Sequence, residues 1–390
     1  MFEQPRQQRD QNPVSAPIQH GSAEMLPSSH QPGHASNPTI LARHSIHPAT
    51  PTNDVQPAAF SPLVRLVMRL AGFPLEPDRI EMAKADAARY RTTLSERIKQ
   101  YNIKDPNALI EIAKIAAANN GYDTSKNIGN FGIKDQSALV EIAKIAVQND
   151  TLGAVANIKN YGIQDQAALV EIAKIAIERN FWCTVETISK WGIQDQAALV
   201  EIAKTAAAKD PSRTSEHIQN FGIENPADLV EIAKIAIERD CWYTVHTISK
   251  WGIQDQAALV EIAKFAAAKT PWSTSEHIQN FGIENPADLV EIAKIALRKD
   301  PSNTLEKIKN YGIHNQASLV EIAKIAAAKD PVGTSEHIHN FGIENPADLV
   351  EIAKIAIEKS DPGLFRSAVG GISKWGMQDQ AALVEIAKFA

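Results

Sequence analysis

The chain has 390 residues, 44% of them apolar, and a formal net charge of −6, the make-up of a folded globular protein. Residues 1–71 hold five Lys and Arg and four Asp and Glu, which leaves 35 basic against 42 acidic side chains beyond them, whereas a nucleic-acid binder ordinarily carries a basic surplus. Two cysteines, Cys183 and Cys241, are too few for a disulfide framework and fit a reducing compartment, and no apolar run reaches the ~18–20 residues of a membrane span.

Residues 1–58 are rich in Pro, Ser, Gln, His and Asn. Such a stretch buries too little apolar surface to offset its ordering entropy, so a disordered tail is predicted. The tail lacks the charged-then-apolar leader of a Sec-type signal, but it could serve a specialised secretion route. His20, His30, His34, His44 and His47 fall in it with irregular spacing; the reading is a solvated tail rather than a metal site.

Residues 59–101 read as an N-terminal helix and a divergent capping repeat. Leu63, Val64, Val67, Leu70 and Ala71 keep helical spacing behind Ser61 as N-cap and Pro62 at the first helical position. Glu81-Met82-Ala83-Lys84 then anticipates a motif that governs everything after it.

From 102 to 390 the chain repeats. Gly162-Ile163-Gln164-Asp165-Gln166-Ala167-Ala168-Leu169-Val170-Glu171-Ile172-Ala173-Lys174 returns with light editing at Gly132, Gly192, Gly222, Gly252, Gly282, Gly312, Gly342 and Gly376, and at Asn102. The period is about 30 residues, inside the range of helical solenoid repeats. It holds constant until Gly342, after which an insertion around Asp361-Pro362-Gly363 lengthens the unit. Asp105, Asp165, Asn225 and Asn285 are placed to cap a first helix of about 13 residues, with Pro106, Pro226, Pro286 and Pro346 at its first helical position. A second helix of about 10 residues opens at Asp-Pro, as in Asp210-Pro211, and stops at a glycine suited to a left-handed C-cap. Two such helices cannot bury their apolar faces alone, so the predicted fold is all-α: an α-solenoid of two-helix repeats in one right-handed superhelix. The last unit reaches Ala390 with only its first helix written, which reads as a capping helix or a truncation.

Candidate chemistry is sparse. Glu171 and Lys174, with their counterparts in every repeat, read as i,i+3 pairs on a solvated face. His217, His277 and His337 recur every second repeat, roughly 20 Å apart at ~10 Å per helix pair, which excludes a shared metal ion. No ligand cluster, nucleophile elbow or phosphate loop is present, so catalytic, cofactor and metal sites are all expected to be absent. The aromatic that ends each repeat (Tyr101, Phe131, Tyr161, Trp191 and onward) reads as inter-repeat core, with a base-stacking ladder as the alternative. The stretch that varies most is a triplet assigned to the turn between the helices, for example Phe181-Trp182-Cys183, Pro211-Ser212-Arg213, Cys241-Trp242-Tyr243 and Pro271-Trp272-Ser273. Trp182, Trp242, Tyr243 and Trp272 are therefore the candidate partner-binding residues.

Residues 72–390 resemble the HEAT and armadillo α-solenoids. Ile188-Ser189-Lys190-Trp191, Ile248-Ser249-Lys250-Trp251 and Ile372-Ser373-Lys374-Trp375 are similar to the Ser-Lys-Trp-Pro repeats of bacterial type III effectors, with Gly here in place of Pro. Leu-Val-Glu-Ile-Ala-Lys is also similar to the first helix of transcription-activator-like repeats, although their Gly-Gly reading pair is missing. The first likeness implies a non-enzymatic scaffold for a host protein, delivered by a non-Sec system and otherwise cytoplasmic. The second implies sequence-reading of nucleic acid, with Lys134, Lys159, Lys190, Arg213, Lys250 and Lys309 placed for phosphates.

Overall fold

A computed structural model describes residues 62–89 and 92–390. The tail of residues 1–58 and the Ser61 cap lie outside the described residues. Among those described, every regular element is helical, and from Glu76 onward each α-helix packs on helices of its own and adjacent repeats, so the array is an α-solenoid.

One repeat shows how the sequence makes the unit. Asp195 sits in extended backbone, and its side chain accepts a hydrogen bond from the Ala197 amide at 2.9 Å, which satisfies one orphan donor of the helix Gln196–Lys209. Leu199, Val200, Ile202, Ala203, Ala206 and Ala207 of that helix are buried. The small alanines let neighbouring first helices approach closely, and the branched residues fill the space between them.

The helix then ends on Asp210, which does two jobs. Its amide donates to the Ala206 carbonyl at 2.9 Å, closing the first helix, while its carboxylate accepts from the Arg213 amide at 3.0 Å, opening the second. The connection is therefore this single residue, and the same double cap recurs at Asn120, Asp150 and Asn180. This corrects the placement of the variable triplets: they are the first turn of the second helix rather than a loop. That helix, Pro211–His217, tightens into a 3-10 turn, Ile218–Phe221, and stops at Gly222 with φ of 62°. Asn102 takes the same left-handed place in the capping repeat with φ of 45°, as Asn tolerates.

Neighbouring repeats are joined by apolar packing and by a recurring set of hydrogen bonds. Phe131, Tyr161, Trp191, Phe221, Trp251, Phe281, Tyr311 and Phe341 are all buried, as inter-repeat core requires. Their rings are thereby withdrawn from any base-stacking role. The Tyr311 hydroxyl lies 2.9 Å from Ser275 Oγ one repeat earlier, and Tyr161 makes the same contact with Ser125. Asn220 Nδ2 donates to the Val185 carbonyl at 3.1 Å, and Gln196 reaches forward to accept from the Glu224 amide and donate to the Gly222 carbonyl.

The Glu and Lys pairs also act between repeats. Lys144 meets Glu171 at 2.6 Å, Lys174 meets Glu201 at 2.5 Å, Lys234 meets Glu261 at 2.6 Å and Lys324 meets Glu351 at 2.7 Å. Lys204 pairs with Glu231 in the same way. The i,i+3 pairing expected within one helix survives at Lys84–Glu81 and Lys294–Glu291 only as a second contact of a lysine that also reaches the next repeat. The ladder breaks once: Lys264 turns to Asp288 at 3.7 Å instead of reaching Glu291.

The capping repeat follows the pattern in reduced form, with helices Glu76–Ala87 and Leu94–Arg97, and Lys84 carries the ladder to Glu111 at 2.9 Å. The preceding helix, Pro62–Leu70, forms as its spacing predicts, but Leu63, Leu66, Val67 and Leu70 stay exposed and add nothing to the core. Near the other end, the segment 360–364 replaces the one-residue turn between the helices Pro346–Lys359 and Phe365–Ile372.

Candidate interaction ridge

The second helices stack side by side, so one register position per repeat draws a line along the array. At the second position of each of these helices stand Tyr122, Leu152, Trp182, Ser212, Trp242, Trp272, Ser302 and Val332 in successive repeats. Five of them are exposed large apolar side chains, among them Trp182 at 40%, Trp242 at 47% and Trp272 at 44%. The adjacent scaffold positions Thr184, Thr214, Thr244 and Thr274 are buried and nearly invariant. The ridge thus presents a variable apolar stripe on a uniform base.

The candidate residues differ in their surroundings. Trp182 lies under the Arg213 guanidinium, 4.7 Å from ring centroid to Cζ, and meets the His217 ring edge-on at 5.4 Å. Arg213 is also drawn to Asp210 at 3.6 Å, so this expected phosphate contact is already engaged by two neighbours. Trp242 lies parallel to His246, with centroids 5.5 Å apart, and edge-on to His277 at 6.3 Å. Tyr243 is half-buried, and its phenol is pushed up first by that burial and then by the Glu216 carboxylate. Trp272 occupies the same register one repeat beyond Trp242.

The structure brings Trp242, Tyr243, His246 and His277 together on two adjacent repeats, and leaves Trp182 and Trp272 as separate points on the stripe. His246 is the member that sequence reasoning missed. It stands where Glu186, Glu216, Glu276 and Glu306 stand in other repeats, and that departure from the register is the signal that marks it. His217, His277 and His337 do not converge, each taking its own repeat's surroundings.

Elsewhere the surface offers little enclosure. An open recess of about 580 Å³ lies where the charge ladder breaks, between the helices Gln256–Lys269 and Pro286–Lys299, lined by Val260, Lys264, Glu284 and Asp288. Among the described residues no three His, Cys, Asp or Glu side chains gather as metal ligands, and no helix is long and apolar enough to cross a membrane. Cys183 is a free thiol that partial burial pushes above its ordinary pKa, which keeps it protonated and a poor nucleophile at neutral pH. Compared with known protein families, with curated proteins and with solved structures, the chain matches none.

Proposed function

We propose that the array is a non-enzymatic protein-binding scaffold whose partner is engaged along the second-helix ridge. The observation that carries this reading is the exposure of Trp182, Trp242 and Trp272 in one register of a repeat whose other large apolar side chains are buried or packed against the core. Leaving large rings in water forgoes roughly 1.5–3 kcal/mol of burial each, and tryptophan is enriched among residues that dominate protein interfaces. A HEAT- or armadillo-like superhelix supplies an extended surface for such contacts with no need of catalytic groups. A destination in a host cell, by a specialised secretion route, goes with this reading on the Ile-Ser-Lys-Trp resemblance alone.

The test is affinity capture from host lysate with the intact chain and with Trp182→Ala/Trp242→Ala/Trp272→Ala. The reading expects partners that the intact chain retains and the folded triple variant loses. Recovery of the same partners by the variant sinks the ridge assignment, and recovery of none by either protein sinks the scaffold reading.

A further inference from the structure

The pair His246 and His277 stands out because the scaffold forces the two rings to meet. The sixth position of one second helix faces the seventh position of the second helix in the next repeat. In the neighbouring repeat the same two positions hold Glu276 and Lys307, whose charged ends meet at 2.9 Å. The array therefore aligns side-chain tips at this register, and here it aligns two imidazoles, with ring centroids 5.0 Å apart and planes at 75°.

That spacing has a chemical meaning. Metal–nitrogen bonds of about 2.0 Å at a tetrahedral angle hold the centroids of two coordinating imidazoles about 5 Å apart. We propose that His246 and His277 form a two-imidazole site for a divalent transition-metal ion of the Zn2+ or Cu2+ kind, the ions that imidazole suits. Two coordination positions are left for water or for a ligand group brought by a bound molecule. His246 is exposed and His277 half-buried, so the site is open to solvent from one side.

Two further observations agree with the assignment. Trp242 lies parallel to His246, which restrains that ring beside its partner and places an indole next to the ion. The ring of His277 also lies edge-on to Trp242, 6.3 Å between centroids, so the indole touches both members of the pair. This site stands independently of what the ridge binds.

The experiment is titration of the full chain with Zn2+, and separately with Cu2+, followed by calorimetry and by tryptophan fluorescence. Two variants are compared with the natural chain: His246→Ala and His277→Thr. Both introduce residues that the same registers already carry, at Ala156 and at Thr187 and Thr247, so the fold is kept. The natural chain is expected to bind one more equivalent of Zn2+ than either variant, whatever the histidines of residues 1–58 contribute to all three. Cu2+ is expected to quench a fraction of the emission that both variants and Trp242→Phe lack, while Trp242→Phe keeps the extra equivalent. Superimposable isotherms for the natural chain and the variants overturn the site, and so does loss of the equivalent in one variant only.

Discussion

The first-helix layer and the second-helix layer are built from the same repeat, yet they use their side chains in opposite ways. First helices are nearly identical from one repeat to the next: Ile202, Ala203 and Ala206 are fully buried, and so are their counterparts in the helices from Pro106–Asn119 to Pro346–Lys359. Their exposed faces carry a ladder of Lys and Glu that links each repeat to the next. Second helices keep the buried Thr and the terminal aromatic, but their outward position runs through Tyr, Leu, Trp, Ser and Val. Sameness in one layer maintains a continuous stack, and freedom in the other is tolerated because those side chains reach outward from it.

If that division is right, substitutions should sort by layer and by burial. The largest effect is expected at Phe281→Ala, which removes a buried ring between repeats. A truncation of that kind costs about 3–5 kcal/mol, enough to open neighbouring repeats. The check is a denaturant melt, which should lose cooperativity or shift its midpoint strongly downward.

A second effect is expected at alkaline pH. Burial raises the phenols of Tyr161 and Tyr311 far above their ordinary value. A raised folded-state pKa gives stability that is complete below the unfolded-state value of about 10 and declines as pH rises above it. Thermal midpoints between pH 9 and 11 should fall steeply in the natural chain and less steeply in Tyr161→Phe/Tyr311→Phe.

Gly222→Ala comes next. A Cβ at Gly222 would meet nothing within 4 Å, so the cost is purely that of φ at +62°. That cost is about 1–2 kcal/mol, read as a lowered melting midpoint. Gly222→Asn should recover much of it, as Asn102 already shows in the capping repeat.

The smallest effect is expected from the exposed ladder. The Lys204 hydrogen bond holds the Glu231 carboxyl below the usual range. A depressed folded-state pKa stabilises above the ordinary carboxylate value and is lost as pH falls through it. Glu231→Gln should therefore lower the melting midpoint slightly at pH 7 and not at all at high salt, where exposed pairs are screened.

Much of this is legible in the sequence for physical reasons. Caps at Asp195 and Asn225, Pro226 at a first helical position and Gly222 at a left-handed stop each follow from local backbone chemistry, so they survive transfer to three dimensions. Sequence reasoning fails where contact depends on how repeats stack. Glu171 and Lys174 share a helix face, yet stacking brings Glu171 to Lys144 of the preceding repeat. His246 and His277 occupy different positions of their two helices, the sixth and the seventh, so reading along a single register passes over them. The triplets around Trp182 and Trp242 resemble loop tips because they vary, and a one-residue turn capped on both sides by Asn180 or Asp210 leaves no loop for them to occupy.

The division between layers is tested most directly by photo-crosslinking. A photoreactive phenylalanine analogue replaces Trp272 on the ridge in one protein and Glu201 on the ladder in another, and both are irradiated in the same lysate. Both substituted side chains are exposed, so each protein should stay folded, with at most the slight lowering of the midpoint that loss of one ladder pair brings at position 201. Crosslinking of a discrete partner from position 272 and not from position 201 is the predicted result. Equal crosslinking from both positions, or from position 201 alone, contradicts the account.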